Sequence, residues 1–191
     1  QLFEGVEANA FEFFSDLGAS ANAYTDFTET AYHVECVDRF GEAFAHLLRF
    51  VREPHFTDAS VAKEKGVIAQ EIRMYEDEAD AACAQNLHKA LFWRHPARED
   101  IAGTVGSIRR IGPQALADCY WAFYHPDRMA VVAVADMPLA AVLGFVERAF
   151  AVRSKGQPRP WRKGIGAPVR EPSPVRRARI AARMPVARPK L

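Results

Sequence analysis

Two glutamates, Glu64 and Glu71, lie seven residues apart in residues 64–77, a stretch whose sequence predicts a helix. Seven residues are close to two helical turns, so both carboxylates leave the same face. Ile68 and Tyr75 share that face, which therefore mixes acidic and apolar groups. A carboxylate on a partly buried face is costly unless a cationic group pairs with it. From the helix alone, the favoured interpretation is that the two glutamates lie on a solvated face or pair with arginines.

The composition indicates a globular domain with an uneven distribution of charge. The chain has 191 residues, 49% of them hydrophobic, which is enough for one sizeable domain with its own core. Residues 1–152 contain 13 Lys and Arg against 23 Asp and Glu, a balance of −10, whereas residues 153–191 contain 12 against one, a balance of +11. The acidic body opposes phosphate binding, so we expect no nucleic-acid partner. The arginines of the basic tail are scattered among prolines. This pattern is more typical of the surface of a linker than of a site that binds a polyanion.

The cysteines and the apolar runs exclude several further classes of protein. Cys36, Cys83 and Cys119 are widely spaced and form no CxxC pair, so neither a zinc ribbon nor a thioredoxin-like site is available. Isolated thiols fit a reducing compartment, which predicts a cytoplasmic protein. The longest apolar run, Met129–Ala135, is far too short to span a bilayer, and we expect no membrane partner.

Hydrophobic periodicity predicts helices and strands over most of the chain. The stretch Ala19–Thr25 is weakly apolar on both faces, which is typical of an edge strand. The order of elements predicts a sheet covered by helices on one side. The predicted helices are residues 7–17, residues 38–52, a long helix capped by Thr57 or Asp58, residues 79–92, a helix beginning at Pro113, and Leu139–Phe150; the predicted strands are residues 19–25, residues 30–36 and Met129–Ala135.

The domain organisation follows from the distribution of prolines. Residues 1–152 are assigned to the main domain. Five prolines within residues 153–174 predict a basic linker or crossing. Residues 175–191 are expected to begin a following strand or domain. The first residue is Gln and not Met, so the chain is expected to be a piece of a longer polypeptide.

Six pieces of the sequence match one known family in their order and spacing. They are Leu2-Phe3-Glu4-Gly5, Gly18 through Thr25, Thr30-Ala31-Tyr32, Glu64 through Glu71, Gly103-Thr104, and Phe123-Tyr124-His125-Pro126. On these pieces the chain resembles the pitrilysin/insulinase family of zinc metallopeptidases, which includes the mitochondrial processing peptidase. The resemblance is greatest to the family's bacterial insulinase-like branch, which implies a bacterial protein.

The resemblance implies roles for the two glutamates. The family carries an inverted zinc motif, His-x-x-Glu-His, whose histidines bind Zn²⁺ and whose glutamate polarises a water. A third zinc ligand lies on a later helix, and Glu71 falls at its position. Glu64 matches a second acid of that helix, which supports the site by orienting a ligand. A catalytic zinc needs three protein ligands and one open position, which agrees with this assignment.

The resemblance also implies how substrate and partners are bound. Ser20, Ala21, Asn22 and Ala23 match an edge strand that pairs with the backbone of a peptide or unfolded polypeptide substrate. An ordinary edge strand with an Asn near a turn is the alternative. The implied fold is an α+β half-domain, incomplete at its N-terminus, with a mostly antiparallel sheet packed by helices on one face. Its implied partner is a second half-domain or subunit of the same kind.

The inverted motif itself does not occur in the chain. Leu2-Phe3-Glu4 matches the segment that directly follows the motif, so the motif is expected upstream of Gln1, and no catalytic residue is expected within the chain. None of the six histidines stands in a His-x-x-Glu-His arrangement. Two function classes stay open: part of a zinc metalloendopeptidase that is inactive alone, or a non-catalytic homologue that partners an active peptidase.

Overall fold

The computed structural model describes residues 10–151, 169–172, 176 and 179–181. The chain divides into two compact units, which are described separately. Unit 1 comprises Gln1–Val61 with Gly112–Trp161, and unit 2 comprises Ala62–Ile111 with Arg162–Leu191. In chain order the elements are α1 (Ala10–Asp16), β1 (Ser20–Thr25), β2 (Thr30–Glu35), α2 (Phe40–Arg52), α3 (Asp58–Glu76), α4 (Ala79–Leu91), α5 (Val105–Arg109), α6 (Pro113–Phe123) and α7 (Leu139–Ala151).

The strands β1 and β2 form an antiparallel hairpin in unit 1. Ser20 lies opposite Glu35, and Thr25 lies opposite Thr30. The turn between the strands is closed by the N–H of Asp26, which donates to the carbonyl of Glu29 at 2.8 Å. This bond sets the register of the hairpin, which fixes the face on which each side chain of β1 lies.

Helices α1 and α2 pack against one face of this hairpin. Phe14 of α1 and Ala43 of α2 are each only 1% exposed and form the centre of the core. Ala21 of β1 and Val34 of β2, which face each other across the hairpin, pack against that centre. Burial of an aromatic ring between two helices and a sheet contributes much of the driving force for such a packing. The predicted sheet covered by helices on one side is thereby confirmed for unit 1.

Helix α7 packs on α2 at a close approach. A Cβ atom built on Gly41 would lie 2.5 Å from Cζ of Phe145, so a side chain at residue 41 would displace the ring. The ring of Phe44 also contacts Phe145 edge to face, with centroids 6.3 Å apart. The glycine therefore permits the contact between the two helices.

Unit 2 contains most of α3 together with α4 and α5. Ile72 of α3 and Ile108 of α5 are buried, with 5% and 6% of their surface exposed. The Nζ of Lys65 donates to the carbonyl of Arg109 at 3.3 Å, which satisfies a carbonyl at the end of α5. Helix α5 begins with a capping box in which Thr104 and Ser107 bond reciprocally.

The predicted helices are confirmed, and the strands only in part. The two strands of the hairpin match their predictions, but Met129–Ala135 was predicted as a buried strand and is not one. Val132 and Val134 are 86% and 92% exposed, and within the described residues only β1 and β2 pair into a sheet. An apolar run becomes a strand only when a neighbour accepts its hydrogen bonds. This prediction from the sequence was wrong because no strand among the described residues pairs with the run.

Other predictions fall partly on residues that the structure does not describe. The start of the helix predicted for residues 7–17 lies outside the described residues, where α1 is seen from Ala10. Of the predicted linker, residues 153–174, only residues 169–172 are described. Of the segment predicted to begin a further strand or domain, residues 175–191, only residues 176 and 179–181 are described. The α+β class is confirmed; the domain boundaries stay a prediction.

Candidate functional site

Helix α3 carries both glutamates, and its first turn is fixed by a capping box. The N–H of Ser60 donates to Oγ1 of Thr57 at 3.1 Å, and the N–H of Thr57 donates to Oγ of Ser60 at 3.1 Å. Two N–H groups at the start of the helix are satisfied in this way. Ser60 is buried, with 5% of its surface exposed, whereas Thr57 is exposed. Of the two caps that the sequence leaves open, Thr57 and Asp58, the structure therefore has Thr57, and α3 begins at Asp58.

Glu64 and Glu71 lie on one face of α3, as their spacing predicts. Glu71 is exposed, and Glu64 is partly buried. Apolar side chains are exposed beside them: Val67 is 51% exposed, Met74 59% and Tyr75 44%. Helices usually turn such residues toward a core, so an exposed apolar strip around two acids indicates a face that another segment can cover.

Glu71 has no hydrogen bond or ion pair to any residue that the structure describes. The sequence left open that it pairs with an arginine, and within these residues it does not. Its two oxygens, with four lone-pair sites, are therefore available to a cation. A carboxylate oxygen is a normal zinc ligand, although one carboxylate is not a zinc site.

The described residues alone do not complete a metal centre. They contain no cluster of three or more His, Cys, Asp or Glu side chains that could hold an ion. A catalytic zinc takes three protein ligands, so the donor set in this part of the chain does not fit the metal by itself. Glu71 by itself offers one of the three protein ligands that such a site requires.

The strand β1 has an edge with backbone donors. Asp26 and Glu29 form a hydrogen-bonded pair at the turn, and successive pairs of an antiparallel ladder alternate between bonded and non-bonded. Counting from that pair, Asn22 bonds to β2, whereas the N–H groups of Ala21 and Ala23 point away from it. The N–H of Ala23 instead donates to Oδ1 of Asn22 at 2.8 Å, in agreement with this count.

The predicted substrate-binding residues divide between the two faces of β1. Ser20 and Asn22 are exposed, whereas Ala21 and Ala23 are partly buried on the side of the helices. An edge strand binds another strand through backbone groups, and its side chains provide selectivity. Ala21 and Ala23 therefore supply the outward donors, and Ser20 and Asn22 supply the side chains that a bound strand would meet. These residues belong to unit 1, and Glu64 and Glu71 to unit 2.

A cluster of tyrosines in unit 1 was missed by the sequence analysis. Tyr32 and Tyr124 share a hydrogen bond of 2.7 Å between their hydroxyls, and the rings of Tyr120 and Tyr124 stack with centroids 4.8 Å apart. The hydroxyl of Tyr120 donates to the carbonyl of Val51 at 2.8 Å. The three rings line a pocket of about 170 Å³ that also includes His55. Helical spacing in α6 predicts Tyr120 as core, but nothing local links it to Tyr32 in β2.

Burial of the tyrosines changes their acidity. Desolvation, with the hydrogen bond to Tyr124, raises the pKa of Tyr32 far above its usual value. Desolvation also raises the pKa of Tyr120, to about 12. Both hydroxyls are therefore neutral at physiological pH and act as hydrogen-bonding groups. The described geometry gives them a structural role in unit 1.

No helix in the described part of the chain is long and apolar enough to cross a membrane. The prediction of a cytoplasmic protein, drawn from the isolated thiols, is not tested by this finding. It stays a prediction.

The sequence of this chain matches two known sequence profiles and several known proteins. Residues 5–105 match the sequence profile described as Insulinase (Peptidase family M16), and residues 110–183 match that of the Peptidase M16 inactive domain. The uncharacterized zinc protease YmfH of Bacillus subtilis is 41% identical over 146 residues, which cover 76% of this chain and 34% of YmfH. The chain thus spans about a third of the length of this curated relative.

Solved structures of similar fold agree with these sequence matches. A candidate M16-like peptidase from Alicyclobacillus acidocaldarius has a TM-score of 0.77 and 39% identity, covering 82% of this chain and 37% of that one. The first half of the periplasmic protease PqqL from Escherichia coli has a TM-score of 0.70 at 22% identity, covering 79% of this chain and 35% of that one, and shares the fold. Two adjoining family profiles and a close relative agree with the resemblance found in the sequence. The chain therefore belongs to the insulinase family, peptidase family M16.

Proposed function

We propose that this chain is part of a zinc metalloendopeptidase, in which Glu71 is a zinc ligand and Glu64 orients a neighbouring ligand. The observation that carries the proposal is the state of Glu71. Its carboxylate is exposed, has no partner among the described residues, and lies beside exposed apolar side chains on α3. Such a face suits a covering segment that brings further ligands to the metal.

The remaining ligands are proposed to come from an inverted His-x-x-Glu-His motif outside this chain. Two histidines and Glu71 would make the three protein ligands that a catalytic zinc needs. Zinc held in this way supplies a Lewis acid that lowers the pKa of a bound water toward neutrality. The chain alone, with Glu71 as its one proposed ligand, should bind zinc poorly and hydrolyse nothing.

The substrate in this proposal is a peptide or unfolded polypeptide in extended conformation. The outward N–H groups of Ala21 and Ala23 would donate to its backbone carbonyls, and the exposed Ser20 and Asn22 would contact its side chains. Before a carbonyl could accept from Ala23, the side chain of Asn22 would have to release that N–H. The partner is proposed to be a second half-domain or subunit of the same family.

A second candidate is a non-catalytic homologue that partners an active peptidase. The observation that favours it is the match of residues 110–183 to an inactive-domain profile. The complete reading frame decides between the two. An active peptidase should contain about one zinc per chain and cleave a quenched fluorescent peptide. A protein with neither zinc nor cleavage would contradict the first proposal and support the second.

A further inference from the structure

Three successive backbone N–H groups in unit 2 converge on one carboxylate. Oε2 of Glu171 accepts hydrogen bonds from the N–H of Trp93 at 2.6 Å and of Arg94 at 3.2 Å. Oε1 accepts from the N–H of Arg94 at 3.0 Å and of His95 at 2.6 Å. Consecutive N–H groups that point to one side form a concave site for an anion, and hydrogen bonds to a charged oxygen are stronger than those to a neutral one.

These donors are available because α4 ends immediately before them. The N–H of Phe92 still donates to the carbonyl of His88, at 3.0 Å, but Phe92 itself has an extended backbone. The following N–H groups therefore have no carbonyl of α4 within reach, and Pro96 brings the chain into a short turn. Donors in this position need a partner from another part of the chain.

The loop that carries the donors is held in shape by its own hydrogen bonds. Nη1 of Arg98 donates to the carbonyl of Trp93 at 3.2 Å, and the N–H of Ala97 donates to Nδ1 of His95 at 3.1 Å. The side-chain amide of Gln85 in α4 donates to the carbonyl of Arg98 at 3.1 Å. These hydrogen bonds do not involve Glu171, so they hold the donor loop independently of it, which lowers the entropic cost of binding an anion there.

A second contact lies at the same end of α4. The N–H of Arg176 donates to the carbonyl of Ala90 at 2.7 Å. Ala90 is in the last turn of α4, where carbonyls lack partners within the helix. The segment around Glu171 therefore satisfies donors just beyond the helix and an acceptor within its last turn.

The charge of Glu171 is suited to this contact. Desolvation acts to raise the pKa of Glu171, but the three backbone N–H groups and the nearby His95 outweigh it and leave the pKa below its usual value. The carboxylate is therefore ionised at neutral pH and accepts all four hydrogen bonds as an anion.

We propose that the N–H groups of Trp93, Arg94 and His95 form a carboxylate-binding site, which Glu171 fills as a clasp. The clasp ties the segment that includes residues 169–172 and Arg176 to the end of α4. It joins two parts of unit 2 that are distant in sequence, residues Ala62–Ile111 and Arg162–Leu191. The inference does not depend on zinc binding or on peptidase activity, and it concerns residues outside the proposed site.

Hydrogen exchange of the full chain at pH 7 tests the clasp. In the wild type the amides of residues 93–95 should exchange slowly. Glu171→Ala should accelerate them at least about tenfold, the effect expected when charge-assisted hydrogen bonds are lost. Glu171→Gln should give an intermediate rate, since its neutral amide oxygen still accepts but more weakly. Amides inside α4, such as those of residues 84–88, should exchange as in the wild type and report that the helix is intact.

Glu99→Gln is the matched control, because Glu99 lies in the loop of the donors, its side chain is 76% exposed, and its ion pair, to Nε of Arg98 at 3.5 Å, involves none of the three N–H groups. It removes an acid without removing an acceptor of these N–H groups, and the exchange of residues 93–95 should stay unchanged. Wild-type exchange of residues 93–95 in Glu171→Ala would overturn the proposal. Acceleration as large in Glu99→Gln as in Glu171→Ala would overturn it as well, because loss of an acid that accepts none of these N–H groups would then have the same effect.

Discussion

The hydroxyls of Tyr32 and Tyr124 lie 2.7 Å apart, although 92 positions separate the residues in the sequence. The contact joins β2 to the C-terminal end of α6. Tyr120, one turn earlier in α6, stacks on Tyr124 and bonds to the carbonyl of Val51 at the end of α2. One hydroxyl contact therefore joins α6 to the hairpin and another joins α6 to α2, all within unit 1. The stacked rings of Tyr120 and Tyr124 link the two contacts.

Removal of one hydroxyl from the pair should destabilise the fold. Tyr32→Phe leaves the ring in place but removes a partly buried hydrogen bond, and should lower the free energy of unfolding by about 0.5–1.5 kcal/mol. Urea denaturation followed by circular dichroism measures this. Tyr75→Phe, at an exposed position of α3, is the matched control and should change little. An equal effect of the two substitutions would mean that the pair adds no stability.

High pH should weaken the fold through the same tyrosines. The pKa values of Tyr32 and Tyr120 are raised in the folded state by burial, the latter to about 12, whereas an unfolded tyrosine ionises near pH 10. The unfolded chain therefore loses these protons first, so the stabilisation is complete below about pH 10 and falls as pH rises toward 12. Urea denaturation between pH 8 and pH 11 should show this decline, with a shallower slope in Tyr32→Phe than in the wild type. Parallel slopes would contradict the assignment.

The edge of β1 gives a test of substrate docking in the zinc-loaded protein of the full reading frame. Ala21→Pro removes an N–H that points away from β2, and edge strands tolerate proline at such positions. It should reduce peptide hydrolysis much more than zinc content. Asn22→Pro removes a donor of the β1–β2 ladder, and should also lower stability. Zinc content and initial cleavage rates measure the first effect, and thermal denaturation measures the second. Unchanged hydrolysis in Ala21→Pro would show that this edge does not bind substrate.

Exposed valines before α7 should promote self-association of the chain. Val132 and Val134 are 86% and 92% exposed and lie in one extended run. Contiguous apolar surface of this kind favours association. Val132→Lys with Val134→Lys should lower the fraction of oligomer seen by light scattering as protein concentration rises. Val37→Lys, at an exposed valine in a different loop, is the control and should leave that fraction unchanged. The same oligomer fraction in the double variant would locate the association elsewhere.

Local pattern was sufficient to predict every helix except the five-residue α5, which lies in a stretch interpreted as a loop; the other helices each have their own stripe or cap. Thr57 and Pro113 mark helix starts that the structure confirms. The spacing of Glu64 and Glu71 placed both on one face of α3 for the same reason. Their roles came only from family resemblance, since one helix does not contain the other ligands of a metal.

Features that depend on distant partners could not be predicted in this way. Met129–Ala135 has the composition of a strand, but pairing requires a neighbour that the local sequence does not reveal. The contact between Tyr32 and Tyr124, and the hydrogen bonds of Glu171, likewise join residues far apart in the chain. A carboxylate bound by backbone N–H groups has no side-chain motif at its donors, so the sequence carries no signal for it.

The central claim is that Glu71 binds zinc, and the metal content of Glu71→Gln in the complete protein tests it most directly. Glutamine keeps the shape of the side chain but removes the charge. Glu76→Gln, at another exposed acid of α3 that lies on a different face, is the matched control. Atomic emission should find about one zinc per chain in the wild type and in Glu76→Gln, and much less in Glu71→Gln, with peptide cleavage lost in parallel. Full zinc content and full cleavage in Glu71→Gln would contradict the account, and Glu71 would then be a solvated acid on a helix surface.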